Sequence, residues 1–307
     1  MTDASPVSQS GSWRHWLADP HPTSPFQARM HQSWRMWRKL KRNGSALLGL
    51  AILFVIVIAA VFAPLLSTHD IFAQDLGNRL SLPSAEHWFG TDELGRDIYS
   101  RLLYGARITL YIAALTAVIS APVGLVVGAV SGYFGGWIDT VLMRVTEVFL
   151  AFPSLILALA FVSALGPGIN NAIIAISLTA WPPIARLARA ETMIIRRSDY
   201  ISVVRLQGAS ALRIITRHVV PMCVPSVIAR VTLNMASIIL SAAGLGFLGL
   251  GAQPPSPEWG AMLSSARQFI LSNGFVAAAP GMAILLTSIA FNLVGDGLRD
   301  VLDPRHD

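Results

Sequence analysis

The chain reads as an all-α integral membrane protein of six transmembrane helices, one N-terminal helix ahead of a five-helix core. Three observations predict this. Hydrophobic residues make up 53% of the 307 and charged residues 13%, with a mean hydropathy of +0.57. A soluble domain carries about 25% charged residues, and half that density cannot cover a surface unless lipid covers the rest. Six stretches approach the ~20 apolar residues that a helix needs to cross a bilayer. The basic residues are also shared unevenly among the segments that join those stretches.

Residues 1–45 form a polar tail that ends in Arg35, Arg38, Lys39, Lys41 and Arg42. No apolar run begins before Ala46, and no A-x-A-like cleavage site follows the first one promptly. Residues 46–66 are therefore expected as a retained span and not as a removed signal. The next spans are expected at 108–130, 148–165, 169–185, 231–251 and within 269–295. The fourth is short and interrupted by Pro182 and Pro183. Between the first two lies a long outside loop, 67–104, containing HWFGTDELGRDIYSRLLYG. Residues 105–303 make up the rest of the membrane domain.

Six spans place both termini on one side. With the N-terminus inside, the inside segments hold seventeen Lys and Arg and the outside segments five: Arg79, Arg96, Arg101, Arg107 and Arg267. The remaining one, Arg230, lies inside a helix. This bias assigns both termini to the cytoplasm.

The inventory of reactive groups is short. The only lysines, Lys39 and Lys41, sit in the tail without the glycines of a phosphate-binding loop, so the chain has no such nucleotide site. The seven histidines are scattered without H-E-x-x-H, and Cys223 is alone. No metal or catalytic constellation can be assembled. Glu147, Arg230 and Asp296 fall toward the cytoplasmic ends of their spans and leave the middles clean, which speaks against ion-coupled transport; each is expected to pair near the interface. Gly124, Gly128 and Gly132, and the later set Gly244, Gly246, Gly249 and Gly251, suit close helix packing in lipid.

The cytoplasmic stretch 199–221, DYISVVRLQGASALRIITRHVVP, is the most informative. Tyr200, Ile201, Val204 and Ala211 can share an apolar face, with Arg205 and Arg213 on others. Gly208 permits a turn between two short helices, and Pro221 restarts the chain into the fifth span. A part-apolar helix in the cytosol needs the membrane surface or a partner protein to cover it.

This stretch resembles the cytoplasmic loop of ABC-importer permeases, E-A-A-x3-G-x9-I-x-L-P. Here those positions are Ser202-Val203-Val204, Gly208, His218, Val220 and Pro221; the glycine, the proline and every spacing agree, and the Glu and both Ala do not. HWFGTDELGRDIYSRLLYGARITL, GYFGGWIDTVLMRVTEVFLAFPSLILALA, FLGLGAQPPSPEWGAML and FNLVGDGLRDVLDPR are similar to the C-type permease of the dipeptide/oligopeptide/nickel branch, in order, from about residue 45 onward. The resemblance implies a subunit of a bacterial inner-membrane importer that works with a second, B-type permease, two ATPase subunits that bind ATP and Mg, and a periplasmic or lipid-anchored solute-binding protein. It implies no cofactor on this chain and no nucleic acid. Tyr200, Ser202, Val203, Val204, Arg205, Gly208, Ala209 and Ser210 would meet an ATPase, with Ser202 in place of the family's Glu. Asp92, Arg96 and Asp97, and Gln253, Glu258 and Trp259, are candidates for meeting the binding protein or the second permease. Peptides lead as cargo, with nickel or a metallophore, or glutathione, as alternatives. An ion-coupled carrier and a membrane enzyme are the rivals from other classes.

Overall fold

The computed structural model describes residues 43–302 continuously, with single positions between Ser24 and Lys41. Most of the predicted polar tail, including Arg35 and Arg42, lies outside the described residues, as does Arg305. Among the described residues the chain is helical, with one isolated bridge, Thr91 to Asp97.

Helix α1 (Gly44–Val61) is capped by Asn43, whose side chain accepts from the Ala46 amide at 3.1 Å. Phe54, Val55 and Val61 remain more than 60% exposed, the pattern of a helix that faces lipid. Pro64 supports a further turn, α2 (Ala63–Leu66). The loop that follows leads to Asp97, which caps α3 (Ile98–Phe134) through the Ser100 amide at 2.8 Å. At 37 residues α3 is about 55 Å long, nearly twice the ~30 Å hydrocarbon core, so the predicted span 108–130 is its middle.

Helices α4 (Gly136–Ala151) and α5 (Ser154–Leu165) meet at 93°. Residues before proline avoid the helical region, and Phe152, ahead of Pro153, is extended at φ −100°, ψ 143°. The third predicted span, 148–165, therefore contains a corner. Its 12-residue second part reaches only about 18 Å. The fourth, 169–185, is divided too. Helix α6 (Ile169–Ala180) gives way at Trp181 to α7 (Pro182–Arg196), because Pro182 and Pro183 supply no amide to the preceding turn. Each of the six expected stretches contains helix, and those expected at 231–251 and within 269–295 include non-helical turns at 248–251 and 270–274. Among the described residues, four helices are long and apolar enough to cross a membrane, or five if the bent α4–α5 pair is one span.

After the elbow described below come α10 (Val220–Phe247), α11 (Trp259–Ala266) and α12 (Phe275–Leu302). Small residues set the packing. Gly124, Gly128 and Gly132 lie on one face of α3 directly against α7; a Cβ on Gly128 would stand 2.6 Å from that of Ala188, and one on Gly132 2.8 Å from that of Thr192. Gly295 of α12 is as close to Leu233 of α10, and Gly49 of α1 to Leu293 of α12. The Asn43 amide also donates to Asp300 at 3.1 Å, tying the start of α1 to the end of α12. The main core runs between α3, α5, α6, α10, α11 and α12, with Ile112, Val162, Ile176, Ile239 and Trp259 at its centre.

Candidate functional site

The stretch 199–221 folds as an elbow. Ser198 caps α8 (Asp199–Leu206), its hydroxyl oxygen accepting from the Ile201 amide at 3.4 Å. Gly208 follows at φ +81°, with its amide bonded to the Arg205 carbonyl at 3.0 Å. Ser210 caps α9 (Ala211–Ile214), which runs through a π turn, Ile215–Val219, into α10. The left-handed conformation at Gly208 is one that a side chain rarely adopts, and there the chain turns between the two short helices.

Of the face grouped by periodicity, Ile201 is fully buried against Ala129, Tyr133, Ile195, Ile214 and Val219, with Val204, Ala209 and Ala211 packed on that cluster. Tyr200 instead points away, and its hydroxyl meets His218 Nδ1 at 2.6 Å. Ser202, Val203, Arg205, Gly208 and Ser210 are exposed. Arg205 lies over the Tyr133 ring, 6.0 Å from its centroid. Two residues that periodicity passed over are the most open apolar side chains here: Leu206 at 88% and Leu212 at 71% exposure. They flank Gly208, outside the Ile201–Val204 stripe; the legible signal was a leucine on each side of a glycine turn.

Next to the elbow, Asp139 at the start of α4 is held by Arg189 of α7 through two bonds of 2.6 Å, and by the Ser131 hydroxyl of α3. This fork locks α3, α4 and α7 together at the end of the bundle that carries the elbow. Glu147 pairs with Arg144, at the exposed surface. Arg230 differs from expectation: no acidic group pairs with it among the described residues, and its Nε is buried without a hydrogen-bond partner.

At the opposite end, the six candidate contact residues are mostly internal. Asp92, Arg96, Asp97, Glu258 and Trp259 are buried, and of the six only Gln253 is exposed. Asp92 accepts from its own turn, from the Leu94 and Arg96 amides, and pairs with Arg96 Nε at 2.7 Å. Arg101 Nε stands 3.4 Å from the same carboxylate, misaligned for a hydrogen bond, while its Nη1 donates to the Ile71 carbonyl at 3.0 Å. Asp97 also accepts from His87 Nδ1 at 2.9 Å. Gly95, at φ +75°, lets this turn press against the Asp75 backbone. Trp259 donates to the Leu102 carbonyl at 3.0 Å, fastening α11 to α3. Glu258 caps α11 through the Gly260 and Ala261 amides, each at 2.9 Å. Burial pushes its carboxyl above the usual range, and those two amides pull it part of the way back. The Thr109 hydroxyl lies beside it but is not aligned for a hydrogen bond. These side chains brace the loops over the helix ends, so a partner docking here would meet the surface they support.

His69, His87 and Asp97 bring three ligand-type atoms within 4.8 Å of one another. Within the group, His69 Nδ1 meets the Thr68 hydroxyl, His87 Nδ1 meets Asp97, and Asp97 accepts from the Ser100 amide. The trio acts as a clasp between the outer loop and α3.

Comparison with known proteins identifies the family. Residues 124–307 match the family described as "Binding-protein-dependent transport system inner membrane component", and residues 32–83 the "N-terminal TM domain of oligopeptide transport permease C". The dipeptide transport system permease protein DppC of Alkalihalophilus pseudofirmus is 43% identical over 94% of this chain and 96% of its own length. The probable D,D-dipeptide transport system permease protein DdpC of Escherichia coli K12 is 41% identical over 91% and 93%. The glutathione transport system permease protein GsiD of E. coli O6:K15:H31 is 43% identical over 88% and 89%. Among solved structures, an inward-facing form of the MetNI methionine ABC transporter superposes with a TM-score of 0.54 at 19% identity, covering 66% of this chain and 97% of the matched one; at that identity the likeness concerns the fold alone. With the family matched over residues 124–307 and the oligopeptide-permease N-terminal unit over residues 32–83, the chain belongs to the inner-membrane permease components of binding-protein-dependent ABC transport systems.

Proposed function

We propose that this chain is one of two permeases in an ATP-driven importer of dipeptides or comparably small peptides, and that the elbow around Gly208 receives the stroke of a separate ATPase. The observation that carries the coupling is the elbow itself. Two capped short helices hang from α7 and α10, anchored by Ile201, and turn Leu206 and Leu212 outward, uncovered by any other described residue. Exposed apolar side chains at a rigid turn mark a surface that a partner protein covers. Rigidity matters because a docked stroke moves the helices only if the elbow does not yield.

The remaining assignments support one another. Both termini and the elbow lie in the cytoplasm by the distribution of Lys and Arg, and the braced loops around Asp97 and Glu258 lie outside, under a solute-binding protein and beside a second permease. ATP and Mg belong to two ATPase subunits, and this chain performs no chemistry of its own. The relatives named for dipeptides, D,D-dipeptides and glutathione point to short peptides with a free carboxylate as cargo. The test is reconstitution of the chain with its partners in vesicles. Uptake should require ATP and liganded binding protein, and should vanish when the catalytic residue of the ATPase is replaced. Uptake that persists in that variant refutes the coupling.

A further inference from the structure

Helix α10 carries a polar stripe along one face. Arg230, Asn234, Ser237 and Ser241 follow at intervals of four, three and four residues, which places them on a single face. That face borders an open pocket of about 170 Å³, lined on the other side by Ser154 at the start of α5 and by Thr179 and Ala180 at the end of α6. The groups lining it are under-used. Arg230 Nε is buried and unbonded, and Asn234 makes one long bond, 3.5 Å, to the Ala180 carbonyl. Arg186 and Arg299 lie within electrostatic reach and add to the positive field. No side chain caps the first turn of α5, beside Ser154.

A guanidinium held within a membrane domain without a counter-ion is costly. Anchoring at the lipid headgroups does not explain this one, because its stripe continues deeper as Asn234, Ser237 and Ser241. We infer that this cavity is an anion subsite on the translocation path, where Arg230 receives the carboxylate of a passing peptide. The inference rests on the importer reading given above. A guanidinium fork matches a carboxylate with two parallel bonds, and the hydroxyls and the Asn234 amide suit the adjoining peptide group. The volume fits one end of a peptide and not the whole of it, as the 300–1,000 Å³ of typical small-molecule sites indicates. A partial, weak site is what a path needs if cargo is to leave it.

The test uses the complete importer in vesicles with dialanine and its C-terminal amide as probes. Both are measured with the same binding protein, so its own preference cancels when a variant is compared with the parent. Arg230→Gln should lower the acid-to-amide uptake ratio by roughly tenfold, the scale of one charge-assisted hydrogen bond, and Arg230→Lys should recover part of it. Should Arg230→Gln fail to assemble, Ser237→Asp serves instead. That position is exposed on the same stripe, and a fixed carboxylate there should depress the ratio as well. A ratio unchanged in whichever variant assembles overturns the subsite while leaving the importer intact. A parent assembly that takes up neither probe overturns the dipeptide-permease reading and the subsite with it.

Discussion

Gly208 and Glu258 show how single residues hold the two ends of the molecule. At φ +81° a β-branched side chain on residue 208 costs about 1–2 kcal/mol of backbone strain. Nothing stands within 4 Å of where its Cβ would be, so the strain is conformational and not steric. Gly208→Val should therefore uncouple ATP hydrolysis from uptake while the chain still inserts, and Gly208→Asn, which tolerates the left-handed region, should keep most of the coupling. Equal uptake by both variants would show that the turn does not matter. Glu258 makes a different test. Its carboxyl titrates higher in the folded chain than in the unfolded one because it is buried. The folded state therefore holds the proton more tightly, and stability declines as pH rises from the ordinary carboxylate range through the raised value. Glu258→Gln removes that dependence. In detergent melts the variant should match the parent at low pH and gain on it steadily toward neutral pH. A difference that does not change with pH would mean that the carboxyl is not buried as described.

The elements show which parts of the architecture were readable. The glycine ladder of α3 was visible as i, i+4 spacing, and it does meet another helix. Its partner, α7, was not visible, because α7 begins with a double proline that reads as an interruption and not as a continuation. Pro153 was equally plain in the sequence, yet a right-angled corner requires knowing that α4 packs back through Asp139 and Arg189, a pairing 50 residues apart. Leu206 and Leu212 escaped because an amphipathic reading looks for the stripe that a helix buries. The proposed docking surface is the stripe left over. Two predictions belong to this scale. Gly128→Ala should destabilise the α3–α7 pair by about 1–3 kcal/mol, the usual cost of overpacking; Gly44→Ala, where nothing stands within 4 Å, should be silent in the same melt. Burying a leucine contributes about 1.5–3 kcal/mol. Leu206→Ser with Leu212→Ser should therefore weaken ATPase association by a hundredfold or more without reducing the amount of chain in the membrane. Undiminished association would place the docking surface elsewhere.

At the scale of the whole molecule the elbow and the braced loops must lie on opposite sides of the bilayer if the chain is to pass work from an ATPase to a path that opens outward. Helix α3 supplies an unbroken helical route between them, with Pro122 in its interior. The elbow cluster contains Ala129 and Tyr133 of α3, while the far end of the same helix is capped by Asp97 and fastened to Trp259. One continuous 37-residue helix thus joins the proposed docking surface to the loops, so a tilt imposed at one end is felt at the other. The arrangement can be tested directly, since Cys223 is the only cysteine and is buried. In a Cys223→Ala background, a cysteine placed at the exposed position Ser202 should react with a membrane-impermeant thiol reagent only in inside-out vesicles. One placed at the exposed position Asn78 should react only in right-side-out vesicles. Labelling of both from one side would break the route between stroke and gate, and coupling through the elbow would fall with it.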